Sequence, residues 1–177
     1  GNVIVAFAGA LQKVPKAELI IVGDGVDRKH LVDLVRSLQI EDSVRFLGRV
    51  MPPDIIDIYR ASTAFATASE TETQGIVLIE AAATGLPLIA VDAGAVRELC
   101  QDKKNGVLCR PGDIDAMSDA VVSLLTDKKL RDKYGKASLA IAQRHDLGYT
   151  LSRFEEIYRE AIDRKDAQIR QSGDIEE

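Results

Sequence analysis

Short apolar runs alternate along the chain with stretches whose apolar residues recur every three or four positions. Positions 17–22 form an apolar run ending in Gly23-Asp24-Gly25, which predicts a buried strand and a tight turn. Over 30–38, Leu31, Leu34, Val35 and Leu38 stand at helical spacing. The run 44–47 predicts a second strand closed by Gly48, and Pro52-Pro53-Asp54 then opens a helix through Tyr59 with Asp54 as its N-cap. Further strands are predicted over 63–68, 86–91 and 106–109. Between the first two of these lie a polar loop over 69–75 and a helix over 75–84, stopped by Gly85 and Pro87. The remainder is helical. Ala116, Met117, Ala120, Val121, Leu124 and Leu125 make one apolar stripe, and 130–143 is a second helix. Leu151, Phe154, Ile157, Tyr158, Ala161 and Ile162 make another stripe, expected to face a core.

Strands alternating with amphipathic helices specify an α/β fold, a Rossmann-like doubly wound parallel sheet. The chain start is ambiguous. Val3, Ala6, Phe7, Ala10, Leu11 and Val14 recur with helical period, while 3–7 also suits a strand by propensity. Helix is the preferred reading, which puts a helix where a doubly wound domain opens with a strand. One domain is drawn over 1–170, with 171–177 as a disordered tail.

Composition narrows the partners. The chain is 46% hydrophobic and 29% charged, as expected of a globular protein with a core. Its net charge of −5 and lack of Trp argue against nucleic acid, which needs a basic footprint and stacking aromatics. No Lys/Arg cluster points to an anionic membrane surface, and no apolar run reaches 18 residues without a charge. Cys100 and Cys109 read as reduced thiols of a cytoplasmic protein, and His30 and His145 have no ligand-like spacing.

The chemistry concentrates in 69–87. Gly75 precedes an apolar helix that follows a strand and a polar loop, and the free N–H groups of such a helix start make an anion site. Glu80 is the only charged residue between Gly75 and Val91. A carboxylate in an apolar element is costly unless something donates to it. Either Arg97, the nearest basic residue in sequence, or a pair of ligand hydroxyls would serve. Glu72 lies on the loop, so the two carboxylates can reach different parts of one ligand.

The sequence Glu72, seven residues, Glu80, then Ala-Ala-Ala-Thr-Gly-Leu-Pro resembles the E-x7-E region of the family 4 retaining glycosyltransferases, which have the GT-B fold. The resemblance continues through Gly23-Asp24-Gly25 after its strand, 44–48, Asp92-Ala93-Gly94, and Gly106-Val107-Leu108 before Pro111-Gly112-Asp113. It implies a donor-binding domain for a nucleoside-diphosphate sugar such as UDP-glucose or GDP-mannose, acting without metal or cofactor. Glu72 would hold the donor sugar as the catalytic carboxylate, and Glu80 the ribose hydroxyls. Gln74, Gly75 and Ile76 would present backbone amides to sugar and diphosphate. Arg49 and Val50 would lie by the nucleobase, with Gly23 and Gly25 allowing close approach. Where the family usually has a Phe after the first carboxylate, this chain has Thr73-Gln74, as some lipid-directed glucosyltransferases do. The family's diphosphate-gripping Arg and Lys, its first strand and its acceptor-binding N-terminal domain would all lie outside this chain. Strands 17–22, 64–68 and 86–91 are then expected as parallel neighbours or near neighbours. Where the first strand would sit, the expectation is a rearranged gap or 3–7 as a substitute. The implied location is cytoplasmic, with any contact at a membrane made only through the absent N-terminal domain.

Two enzymes on similar folds compete with this reading. A dinucleotide-binding oxidoreductase needs a third glycine where Arg28 stands, and an acidic residue where the second strand ends in Gly48-Arg49. A nucleotide-sugar epimerase is the other. The rival of a different class is a non-catalytic nucleotide- or protein-binding module, which an ion pair between Glu80 and Arg97 would favour.

Overall fold

The computed structural model describes the backbone of residues 1–173 and the side chains of 1–165 except Leu147. It divides into two compact units, Gly1–Ala142 and Gln143–Glu177. In the first, β1 (Leu19–Val22) pairs in parallel with β2 (Val44–Gly48), and β3 (Phe65–Thr67), β4 (Leu88–Val91) and β5 (Gly106–Cys109) form a second parallel sheet in that order. Parallel pairs need crossovers. α2 (Arg28–Ser37), α4 (Ile76–Ala83) and the short α5 (Val96–Leu99) lie within them, and α3 (Asp54–Ala61) links β2 to β3.

β4 shows why the fold is doubly wound. Its four residues are all buried, and successive side chains point to opposite faces. Leu88 and Ala90 join a cluster with Leu78, Ala81 and Ala82 of α4 and Val96 and Leu99 of α5. Ile89 and Val91 join the other, with Ala6 of α1 (Asn2–Leu11), Met117, Ala120 and Leu124 of α6 (Ile114–Thr126), and Tyr134 of α7 (Lys128–Ala142). Helices thus cover both faces, and the strand reads as a continuous apolar run. Leu78, Leu88, Ile89 and Leu124 are essentially inaccessible. Each such side chain contributes about 1.5–3 kcal/mol by burial. A third cluster sets Ile4 and Phe7 of α1 against Val35 of α2 and Val44 of β2.

Four expectations change. No ladder joins β1 to β3 among the described residues, so the expected neighbours fall into separate sheets, each strand leaving one edge unpaired towards no named strand. Residues 3–7 do not substitute for a strand, because their apolar positions serve two clusters at helical spacing. Asp54 is the first residue of α3, and Pro53 takes the cap position. The last stripe faces no core. On α8 (Leu147–Gly173), Leu151, Phe154, Ile157, Tyr158, Ala161 and Ile162 are all exposed. Periodicity shows that a helix has an apolar face but not what covers it. Of the expected tail at 171–177, residues 171–173 continue α8, and 174–177 lie outside the described residues.

Candidate functional site

Parallel strands deliver all their following loops to one edge of their sheet, and the candidate residues lie on those loops. After β3 the chain runs through Ser69 to Gly75, whose φ of 66° makes it a left-handed N-cap for α4. The positive φ favours glycine, and a Cβ there would also displace the end of the Leu99 side chain. Glu72 Oε1 accepts the Gly75 N–H at 2.8 Å, which fixes the carboxylate at the helix start. The loop after β4 approaches closely. A Cβ built on Gly94, whose φ is 53°, would stand 2.8 Å from the Glu72 carbonyl oxygen.

Gly75 is buried and its N–H is engaged with Glu72, so in this geometry it does not present that amide outward as expected. The amides of Gln74 and of Ile76, the first helical residue, have no acceptor among the described residues and remain available. Such free donors, with the helix dipole behind them, favour an anion.

Glu80 lies on the second turn of α4, about 6 Å along the axis from Ile76. The expected burial is corrected: Glu80 is exposed, because the apolar face of α4 is carried by Leu78, Ala81 and Ala82. Its Oε2 accepts the Tyr59 hydroxyl at 3.0 Å. Tyr59, on α3, was not singled out by the sequence pattern. The available signal was a core-facing aromatic with a polar tip, which when buried needs a partner. Burial, then the hydrogen bond and charge of Glu80, raise the Tyr59 pKa well above the usual phenol range.

Arg97 does not reach Glu80. Its Nε and Nη2 both donate to Asp92, the second at 2.7 Å. The guanidinium hydrogen bond holds the Asp92 carboxyl below its ordinary range.

On the other sheet, Gly23 follows β1 with φ 119° and donates to the Gly48 carbonyl at 2.7 Å. A Cβ on Gly23 or Gly25 would meet nothing within 4 Å, leaving open space above both. Arg49 is exposed and Val50 half-buried directly after β2. The structure thus joins Glu72, Gly75 and Gly94 in one group, and Gly23 and the end of β2 in another. Among the described residues no hydrogen bond ties the two groups. Apolar side chains are conspicuous on these loops and helix starts: Val26, Met51, Ile76 and Val77 are 99%, 64%, 55% and 40% exposed. A shallow hollow lined by Leu11, Pro15, Leu38 and Asp42 contains none of the candidate residues.

Comparison with known proteins follows the same regions. Residues 2–140 match the family model for glycosyl transferases group 1. The chain is 33% identical over 162 residues to N-acetyl-alpha-D-glucosaminyl L-malate synthase of Bacillus anthracis, covering 91% of this chain and 42% of that protein. It is 33% identical over 171 residues to D-inositol 3-phosphate glycosyltransferase of Salinispora arenicola, covering 91% of this chain and 38% of the relative. The chain therefore spans less than half the length of these curated relatives. Among solved structures, Anabaena Alr3699/HepE in complex with UDP superposes with a TM-score of 0.77 at 28% identity, over 88% of this chain and 44% of that one. The C-terminal domain of the Francisella tularensis glycosyl transferase group 1 family protein LpcC gives 0.72 at 28% identity, over 80% and 76%. With the matched residues containing both carboxylates, the glycine-capped helix between them and the strands that carry them, the chain belongs to the glycosyl transferases group 1 and has the α/β fold of a GT-B C-terminal domain.

Proposed function

We propose that this chain is the donor-binding part of a retaining glycosyltransferase that uses a nucleoside-diphosphate sugar and needs no metal. The observation that carries the reading is the pair of carboxylates around the start of α4, Glu72 tied to the glycine cap and Glu80 one turn into the helix. Between them lie the unpaired amides that suit a diphosphate. Glu72 holds the hydroxyls of the sugar, and Glu80 holds the ribose. Gln74 and Ile76 contribute amides, and the Gly75 N–H becomes available if Glu72 turns to the sugar. Arg49 and Val50 flank the base, and Gly23 and Gly25 leave room for the nucleotide. A UDP-sugar is the favoured donor, since HepE, at 28% identity, was solved with UDP. The acceptor domain and the basic grip on the diphosphate belong to a longer protein. Its location is proposed as cytoplasmic, with any membrane contact made by that other part. No helix among the described residues is long and apolar enough to cross a membrane.

The exposed Val26, Met51, Ile76 and Val77 support an occupied face, because apolar side chains on strand-end loops suit a base or an opposing domain. The non-catalytic alternative loses its main support, since Arg97 is committed to Asp92 and leaves Glu80 open. Single substitutions in the longer protein test the division of labour. Glu80→Ala should weaken UDP binding about tenfold, as loss of a charge-assisted hydrogen bond does. Glu72→Ala should lower turnover much more than UDP affinity. Equal losses of UDP affinity in both variants would contradict the assignment.

A further inference from the structure

The hydroxyl of Tyr59 is the only described donor to Glu80, and it comes from a ring that has little freedom to move. Tyr59 is 8% exposed, packed in the cluster of Leu78, Ala81, Ala82 and Leu99. Its ring meets Phe65 edge to face, centroids 6.1 Å apart at 61°. Glu80, by contrast, is an exposed side chain with three rotatable bonds, and holding it in one orientation for a ligand costs rotamer entropy. Arg97, the other candidate partner, is occupied by Asp92.

We infer that Tyr59 is a positioning residue for Glu80: its buried hydroxyl holds Oε2 so that Oε1 and the remaining lone pairs face a pair of vicinal ligand hydroxyls. This rests on the proposed assignment of Glu80 to the ribose. A carboxylate offers about four acceptor sites, and Tyr59 uses one. At 3.0 Å the bond is at the long end for O–H···O, so it orients the group and leaves it free to bind. The phenol stays protonated throughout the neutral range, because burial and the Glu80 charge both oppose its ionisation. The tether therefore does not switch with pH.

The test uses the longer protein and two probes, UDP and 2′-deoxy-UDP, measured by calorimetry for wild type, Tyr59→Phe, Glu80→Ala and the double variant. Phenylalanine keeps the packing and removes only the hydroxyl. Wild type should prefer UDP by about tenfold, the scale of one charge-assisted hydrogen bond. Tyr59→Phe should narrow that preference to about twofold at unchanged melting temperature, and should do nothing further once Glu80 is alanine. If Tyr59→Phe keeps the full preference while Glu80→Ala loses it, the positioning role is wrong and the ribose assignment stands. If Glu80→Ala keeps the preference, the ribose assignment fails and the inference falls with it. Additive losses in the double variant would also overturn it, since the hydroxyl would then act elsewhere.

Discussion

An alanine at position 75 meets two separate obstacles. The left-handed backbone costs a Cβ-bearing residue about 1–2 kcal/mol. The new methyl also runs into the end of the buried Leu99 side chain, which must move to make room. Gly85 is the control. Its φ is 80°, but a Cβ there makes only ordinary contacts of 3.6–3.8 Å with Leu139. Gly75→Ala should therefore lower the melting temperature more than Gly85→Ala, and only the former should also weaken UDP binding. Calorimetric melting and titration of both variants would check this. The thiols give a second residue-scale prediction. Cys100 and Cys109 are buried, and desolvation pushes Cys100 up to about 12 from 9.0. A raised folded-state pKa means this contribution is fully present below pH 9.0 and is lost as pH rises towards 12. Stability should fall through that alkaline window, less steeply in Cys100→Ala, as read by urea unfolding at successive pH values. Neither thiol should react with Ellman's reagent at neutral pH until the protein unfolds.

At the scale of elements, α7 is held by backbone contact and one polar pin. A Cβ on Gly135 would overlap the Gly85 carbonyl oxygen, so the helix lies directly against the turn before β4. Ser138 donates to the Leu86 carbonyl at 2.7 Å. Buried Asn105 donates to the Leu99 carbonyl at 2.8 Å and to Ser138 at 3.3 Å, and accepts from the Gln101 N–H at 2.7 Å. Among the described residues no buried side-chain polar atom lacks a partner. Breaking such a network leaves its partners unsatisfied, at about 1–3 kcal/mol for each group. Ser138→Ala should lower the unfolding free energy by about that amount, and Asn105→Ala by more, because three contacts go and a cavity opens. Urea unfolding with an unchanged m-value would report it. The network ties α7 to Leu86 and Asn105, which precede β4 and β5, and so lies at the strand ends opposite the loops that carry the candidate residues.

At the scale of the whole molecule, the candidate residues lie on the loops and helix start that follow the strands of the first unit. Retaining transfer needs charge on the leaving diphosphate stabilised as it develops. The start of α4 contributes about 0.3–2 kcal/mol towards an anion. Acceptor orientation, which accounts for about 7–11 kcal/mol of a barrier, has no counterpart among the candidate residues. The 177-residue chain by itself is therefore expected to bind UDP at high micromolar strength or weaker and to transfer no sugar. Incubation with labelled UDP-sugars and lipid and saccharide acceptors tests this, and Glu72-dependent transfer by the isolated chain would refute it. Within the second unit, Leu151, Phe154, Ile157, Tyr158 and Ile162 of α8 are about half exposed or more, a run of apolar residues along one helix.

The sequence by itself determined the order of elements, the strand-loop-helix that carries Glu72 and Glu80, and the strand over 86–91, because periodicity and turn residues are local signals. At the chain start the helical period of Val3, Ala6, Phe7 and Ala10 favoured the helix that forms, while strand propensity over 3–7 left the choice open. Only the tertiary structure decided who partners whom. Glu80 and Arg97 stand equally plausible as a pair in sequence, yet Asp92 takes the guanidinium and Tyr59, 21 positions before Glu80, supplies its donor. Likewise, an apolar stripe on α8 marks a face that would gain from burial without naming a partner, and strand propensity cannot say whether β1 and β3 will share an edge. Hydrogen bonds and contacts between distant residues depend on the distances that packing creates, and those do not exist until the chain is folded.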